Sequence, residues 1–105
     1  MDKKQNEQLN KFVKIISKKL NPCKIILFGS RAKGNEWKQS DYDIIIISNK
    51  FKGIHWLKRI SLVVKDWKLI TDIDILPYTE DEFKQKIEES SFVRSIVKEG
   101  KVLAE

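Results

Sequence analysis

Apolar residues recur along the chain with two different periods. Leu9, Phe12, Val13, Ile16 and Leu20 follow helical spacing and predict an amphipathic helix from about Asn6 to Leu20, ended by Asn21-Pro22. Lys24 to Phe28 reads as a short strand that stops at Gly29-Ser30. A polar stretch from Arg31 to Ser40 follows, and then Asp41 to Ser48 is the clearest strand in the sequence. Ile54 to Leu69 returns to helical spacing, with Trp56, Leu57, Ile60, Val63, Val64 and Trp67 on one face. Thr71 to Leu76 predicts a third strand closed by Pro77. Thr79 with Glu82 three residues on is a capping box opening another helix. Phe92, Val93, Ile96 and Val97 belong to a last helix ending at Gly100, and Lys101-Val102-Leu103 reads as a final short strand.

In the middle strand Ile44 and Ile46 point one way while Ile45 and Ile47 point the other, so both faces of that strand must be covered. Such a strand belongs at the centre of a sheet under helices. Its alternation with helical segments predicts an α/β (α+β) chain with a mixed β-sheet flanked by helices. At 105 residues the chain has room for one core, so residues 1–105 are expected to form one domain.

Composition adds little to the fold but narrows the partners. With 41% hydrophobic and 34% charged residues the chain is of ordinary globular type. The N-terminus holds no stretch of signal-peptide length, and the longest aliphatic run is Ile44 to Ile47, which predicts no membrane contact. A single cysteine, Cys23, fits a reducing cytoplasm and reads as a half-buried residue leading into a strand. The net charge of +6 favours anionic partners. The excess lies in the first 20 residues, with six lysines, and between Lys50 and Lys68, with six Lys or Arg. These stretches are either an anion-attracting surface or the solvated faces of two helices.

Candidate chemistry sits at strand ends. Asp41 and Asp43 share one face of their strand, about 7 Å apart at the backbone, and Asp72 and Asp74 share one face of the third. If those strands are neighbours, about 5 Å apart, one of the latter can join the former. Three such carboxylates repel one another unless a cation neutralises them, and an all-oxygen set suits Mg²⁺, with Mn²⁺ as the alternative. The chemistry that follows is phosphoryl transfer, with two ions on the attacking and leaving oxygens and one aspartate accepting the proton of the incoming hydroxyl. Upstream, Gly29-Ser30-Arg31-Ala32-Lys33-Gly34 leaves a strand end with a flexible residue, a hydroxyl and two cations. It is either a triphosphate grip or a surface turn, and it is not a Walker A loop.

Gly29-Ser30-Arg31-Ala32-x-Gly34, then Ser40-Asp41-x-Asp43 before four isoleucines, then Ile73-Asp74-Ile75, resembles the signature of the DNA polymerase β-like nucleotidyltransferase superfamily. Pro77-Tyr78-Thr79 and the closing helix-Glu99-Gly100-strand resemble its minimal members, so the resemblance covers nearly the whole chain. It implies the nucleotidyltransferase fold, with Asp41, Asp43 and Asp74 as catalytic metal ligands and Asp74 deprotonating the acceptor. Gly29, Ser30 and Arg31 would bind the nucleotide. Asp74 is preferred to Asp72 because the family pattern places the third aspartate before Ile75-Leu76-Pro77.

The resemblance further implies an antitoxin that partners a small helical HEPN-class toxin and transfers AMP from ATP to it. With 105 residues there is no room for a second domain to hold an acceptor, which must then be brought by another macromolecule. Trp56 and Trp67 either form a docking surface for it or belong to the core. An antitoxin acting by contact alone, with a non-catalytic nucleotide site, and a basic nucleic-acid-binding module are the competing readings. A homo-oligomer is left open by the sequence. His55 reads as a surface residue, and Trp37 either stacks on a base or folds back onto the sheet.

Overall fold

The computed structural model describes residues 3–29, 41–69 and 72–105. In chain order the elements are α1 (Lys3–Lys19), β1 (Cys23–Phe28), β2 (Tyr42–Ser48), α2 (Trp56–Val64), β3 (Ile73–Tyr78), α3 (Glu80–Glu89), α4 (Ser91–Glu99) and β4 (Lys101–Ala104), with a 3₁₀ turn, Asn49–Phe51, after β2. The strands form one sheet in the order β3-β2-β1-β4. β1 pairs antiparallel with β2 and with β4, and β2 pairs parallel with β3, so the sheet is mixed as the alternation of elements predicted.

The four isoleucines of β2 are each less than a tenth exposed and divide between two cores. Ile44 and Ile46 pack with Ile25 and Leu27 of β1 under Leu9, Phe12, Ile16 and Leu20 of α1 and Val63 of α2. Ile45 and Ile47 pack with Ile26 and Tyr78 under Phe83 of α3 and Ile96 and Val97 of α4. Burying both faces of one strand stabilises it on both sides at about 25 cal/mol per Å² of apolar surface. Among the described residues no helix is long and apolar enough to cross a membrane.

Several elements depart from the sequence expectations, each for a local reason. α2 ends at Val64, five residues short of the predicted Leu69, because Asp66 N and Trp67 N turn back to Val63 O (3.1 Å) and Val64 O (2.9 Å), bonds of the tighter i→i+3 type. Trp67 then leaves the helix and packs edge-on against Phe12 and Tyr42, 4.9 and 5.1 Å between ring centroids. Trp56, Leu57 and Val64, expected on the packed face, are exposed, and the buried positions of α2 are Arg59 and Val63. Trp67 is thus a core residue and Trp56 a surface one, so the two do not share a helix face. His55 caps α2, its Nδ1 accepting from Leu57 N at 3.2 Å.

Pro77 lies inside β3 rather than after it, which costs no ladder bond that matters because β3 is an edge strand. Gly100 ends α4 with φ −75°, outside the left-handed region expected of a terminal glycine. Its requirement for glycine is space: a Cβ there would lie 2.7 Å from Ile26 Cγ2 and 2.8 Å from Ile96 O. Cys23 is half-buried, as expected, and burial pushes its thiol pKa up.

Candidate active site

Register brings the sequence candidates together. In the β2–β3 ladder Asp43 stands directly opposite Asp74, and in the β1–β2 ladder it stands opposite Phe28. All three therefore share the sheet face that carries Ile45 and Ile47. Asp41 lies two residues before Asp43 on the same face, and Asp72 O accepts from Tyr42 N at 3.0 Å, which sets the start of β3 against the start of β2. The site is the end of the sheet where β1 finishes and the parallel pair begins.

Asp43 is half-buried while Asp41 and Asp74 are exposed. Burial raises the pKa of Asp43 above the usual carboxylate range, and the charges of Asp74 and Asp41 and a hydrogen bond with Asp74 push it the same way. Phe28, which the sequence reading did not single out, sits in the same row as Asp43; the signal available was its place as the last apolar residue before the turn. Gly29 follows with φ +77°, and a Cβ at that position would collide with Asp43 Oδ2. Glycine is needed here twice over, for the left-handed backbone and for the carboxylate packed against it.

Asp74, not Asp72, is the residue whose charge and hydrogen bond reach Asp43. The set is open: among the described residues, no three His, Cys, Asp or Glu side chains close around one cation-sized point. The arrangement nevertheless fits a hard divalent cation. Its donors are all carboxylate oxygens, they carry like charge within interaction range, and the most buried of them is destabilised by its neighbours in a way that a cation reverses. Ser30 and Arg31, read as nucleotide-binding, lie outside the described residues, as does Trp37.

Beyond the other end of β3, a second group of charges is built on opposite lines. Arg59 of α2 is 6% exposed. Its Nε donates to Ile54 O (2.7 Å), and its Nη1 donates to Pro77 O (3.1 Å) and to Glu82 Oε1 (2.6 Å). Glu82 Oε1 also accepts from Thr79 N (2.8 Å), while Glu82 N donates to Thr79 Oγ1 (3.2 Å), completing the capping box. The Arg59 guanidinium holds the Glu82 carboxyl down at about 2. The sequence showed the capping box but placed Arg59 in a basic stretch, because nothing in one dimension says that Glu82 comes to meet it.

Comparison with known proteins agrees with this arrangement. The family model described as Polymerase beta, Nucleotidyltransferase matches residues 10–105. No curated protein matches the sequence. Among solved structures, a Sulfolobus solfataricus protein assigned as a nucleotidyltransferase is 22% identical, with a TM-score of 0.59 over 75% of this chain and 70% of that one. A toxin–antitoxin crystal structure with AMP-PNP is 20% identical, with a TM-score of 0.54 over 90% of this chain and 70% of that one. At such identities the two structures are alike in fold. Polymerase β-like nucleotidyltransferases generally use divalent metals. The family match spans nearly the whole chain and its fold is the one observed, so this chain belongs to the polymerase β nucleotidyltransferase family.

Proposed function

We propose that residues 1–105 act as one nucleotidyltransferase domain that moves AMP from ATP onto a protein acceptor. The acceptor class is a HEPN-type toxin, for which this chain is the antitoxin. The observation that carries the catalytic reading is the in-register pair Asp43 and Asp74, with Asp41 beside it and Gly29 packed against the Asp43 carboxylate. The partner reading rests on the sequence resemblance and on a fold shared with a toxin–antitoxin structure that contains AMP-PNP.

Asp41, Asp43 and Asp74 would hold Mg²⁺, two ions in the full site, with Mn²⁺ as the substitute. When bound, the metal supplies neutralising charge and Lewis acidity to the phosphates. Gly29, Ser30 and Arg31 grip the triphosphate through the turn after β1. The acceptor hydroxyl oxygen bonds to the α-phosphorus, the bond from that phosphorus to the bridging oxygen breaks, and pyrophosphate leaves. The Asp74 carboxylate takes the hydroxyl proton.

The test is calorimetric titration of ATP, with and without Mg²⁺, into the wild type and into the Asp41→Asn/Asp43→Asn double variant. Binding that requires Mg²⁺ and disappears in the double variant is expected. Absence of binding by the wild type would overturn the catalytic reading. Labelled AMP appearing on a co-purified helical protein would then identify the acceptor.

A further inference from the structure

The two faces of the sheet are covered by helices of opposite charge. α1 carries six lysines against Glu7, and residues 49–69, which include α2, carry six Lys or Arg against Asp66. These segments cover the face of Ile44 and Ile46. On the face of Ile45 and Ile47, α3 and α4 carry six carboxylates against four basic residues. The net charge of +6 is therefore gathered on the side of the sheet away from Asp43.

Part of that charge is neutralised within the fold. Arg59 is buried on Glu82, and Lys19 Nζ donates to Asp66 Oδ2 at 3.0 Å and to Leu62 O at 3.2 Å, joining the end of α1 to the end of α2. The rest faces solvent. Lys11, Lys14 and Lys18 of α1 and Lys65 and Lys68 after α2 are exposed, and among the described residues no ion pair reaches any of them. Lys11 and Lys18 stand two helical turns apart on one side of α1, about 10 Å at the helix rise. The Lys19–Asp66 bridge sets their neighbours Lys18 and Lys65 at the same edge. Five ammonium groups gathered without a counter-charge attract a polyanion.

The chemistry of the patch selects among anionic partners. Protein interfaces are anchored on aromatic residues and arginine and are depleted in lysine. Here the large apolar side chains exposed on α1 and at the end of α2, among the described residues, are Ile15 and Val64. An anionic membrane needs an apolar helix face to enter it, and that face of α1, with Leu9, Phe12, Ile16 and Leu20, lies in the core. Phosphates need only the charge. Phe12, Tyr42 and Trp67 are turned onto one another and offer no platform for unstacked bases. Arg59 is held by Glu82 and is not free to read guanine. We propose that this face of α1, with residues 65–68, binds the phosphate backbone of duplex nucleic acid without reading its sequence. The sheet stands between this surface and the carboxylates of the candidate active site, so the two act on different ligands.

A short fluorescent DNA duplex is titrated with the full chain and followed by anisotropy over a series of salt concentrations. The logarithm of affinity is expected to fall linearly with that of salt, with a slope of about −3 to −5 as three to five phosphates are neutralised. Duplexes of scrambled sequence are expected to bind within about twofold of one another. Lys11→Gln/Lys18→Gln and Lys65→Gln/Lys68→Gln are each expected to reduce the slope by about 2 and the affinity by about tenfold or more at about 0.1 M salt. Lys84→Gln/Lys86→Gln on α3 removes the same charge from the other face of the sheet and is expected to change affinity by less than about threefold. All six lysines are exposed, so melting temperatures should stay near the wild type, and either of the first two pairs serves if the other does not fold. No binding by the wild type at low salt, an equal loss in the α3 variant, or single-stranded DNA binding more tightly than the duplex would each overturn the proposal. Polyglutamate competing as well as the duplex at equal charge would also overturn it, and would assign the surface to an acidic protein.

Discussion

Asp74 near the start of β3 and Glu82 just past its end are both carboxylates close to a strand terminus, yet they are held in opposite ways. Asp74 stands in register opposite Asp43, and burial together with the like charges of Asp74 and Asp41 pushes the Asp43 pKa up. Around Glu82 the neighbours are the Arg59 guanidinium and the Thr79 backbone N–H, and its carboxyl is held at about 2. Among the described residues the first end gathers like charges that raise the Asp43 pKa. The other satisfies every donor it buries and ties α2, β3 and α3 together. Clusters of the first kind collect at functional sites, where a bound cation can complete them.

The comparison is broken most directly at Arg59. Arg59→Ala leaves Ile54 O and Pro77 O without their donor and removes the partner of Glu82, in a pocket where Phe51 and Trp56 lie 5.7 and 6.0 Å from the guanidinium carbon. The expected loss is about 2–4 kcal/mol, read as a fall of the thermal midpoint by about 10–20 °C. Mg²⁺-dependent ATP affinity of the folded fraction should be unchanged.

Asp43→Asn should do the reverse. ATP affinity in Mg²⁺ is expected to fall about 100-fold or more, while the melting temperature at pH 7 rises because a strained charge is gone. The sign follows from linkage: with the folded pKa raised above the ordinary 3.8 of an aspartate, the folded chain holds the extra proton. Stability therefore declines as pH climbs through that window, and the gain from Asn vanishes below it. A lower melting temperature for Asp43→Asn at pH 7 would refute the repulsive reading of the site.

Gly29→Ala tests whether the turn and the carboxylate are built as one piece. The methyl group meets both the φ of +77° and the Asp43 oxygen, so a loss of about 1–2 kcal/mol in stability should accompany weakened ATP binding. The smallest effect is expected at Glu82. Its lowered pKa contributes stability that is present above 4.5 and disappears as pH falls toward about 2. Because the Glu82 side chain is 45% exposed, solvent screens part of this. Urea midpoints of wild type and Glu82→Gln should differ at pH 6 and converge at pH 2.

Local pattern was enough for much of the fold. Period-2 and period-3.6 spacing gave the order of helices and strands, the two-sided burial of Ile44 to Ile47 and the capping box of Thr79 and Glu82. The candidate carboxylates were legible because strand alternation is a one-dimensional rule. The end of α2 was not, because Trp67 continues the helical spacing and leaves it only to meet Phe12 and Tyr42, residues 55 and 25 positions earlier in the chain.

The sequence by itself determined which positions are apolar, which strand must be central and which residue types could do phosphoryl chemistry, since these depend on composition and local period. Tertiary structure alone decided that Asp74 pairs in register with Asp43, that Gly29 is pressed against that carboxylate and that Arg59 is buried on Glu82. Each depends on strand register or helix docking. These are set by the fit of surfaces far apart in the chain, and a shift of one residue in register would reverse every face.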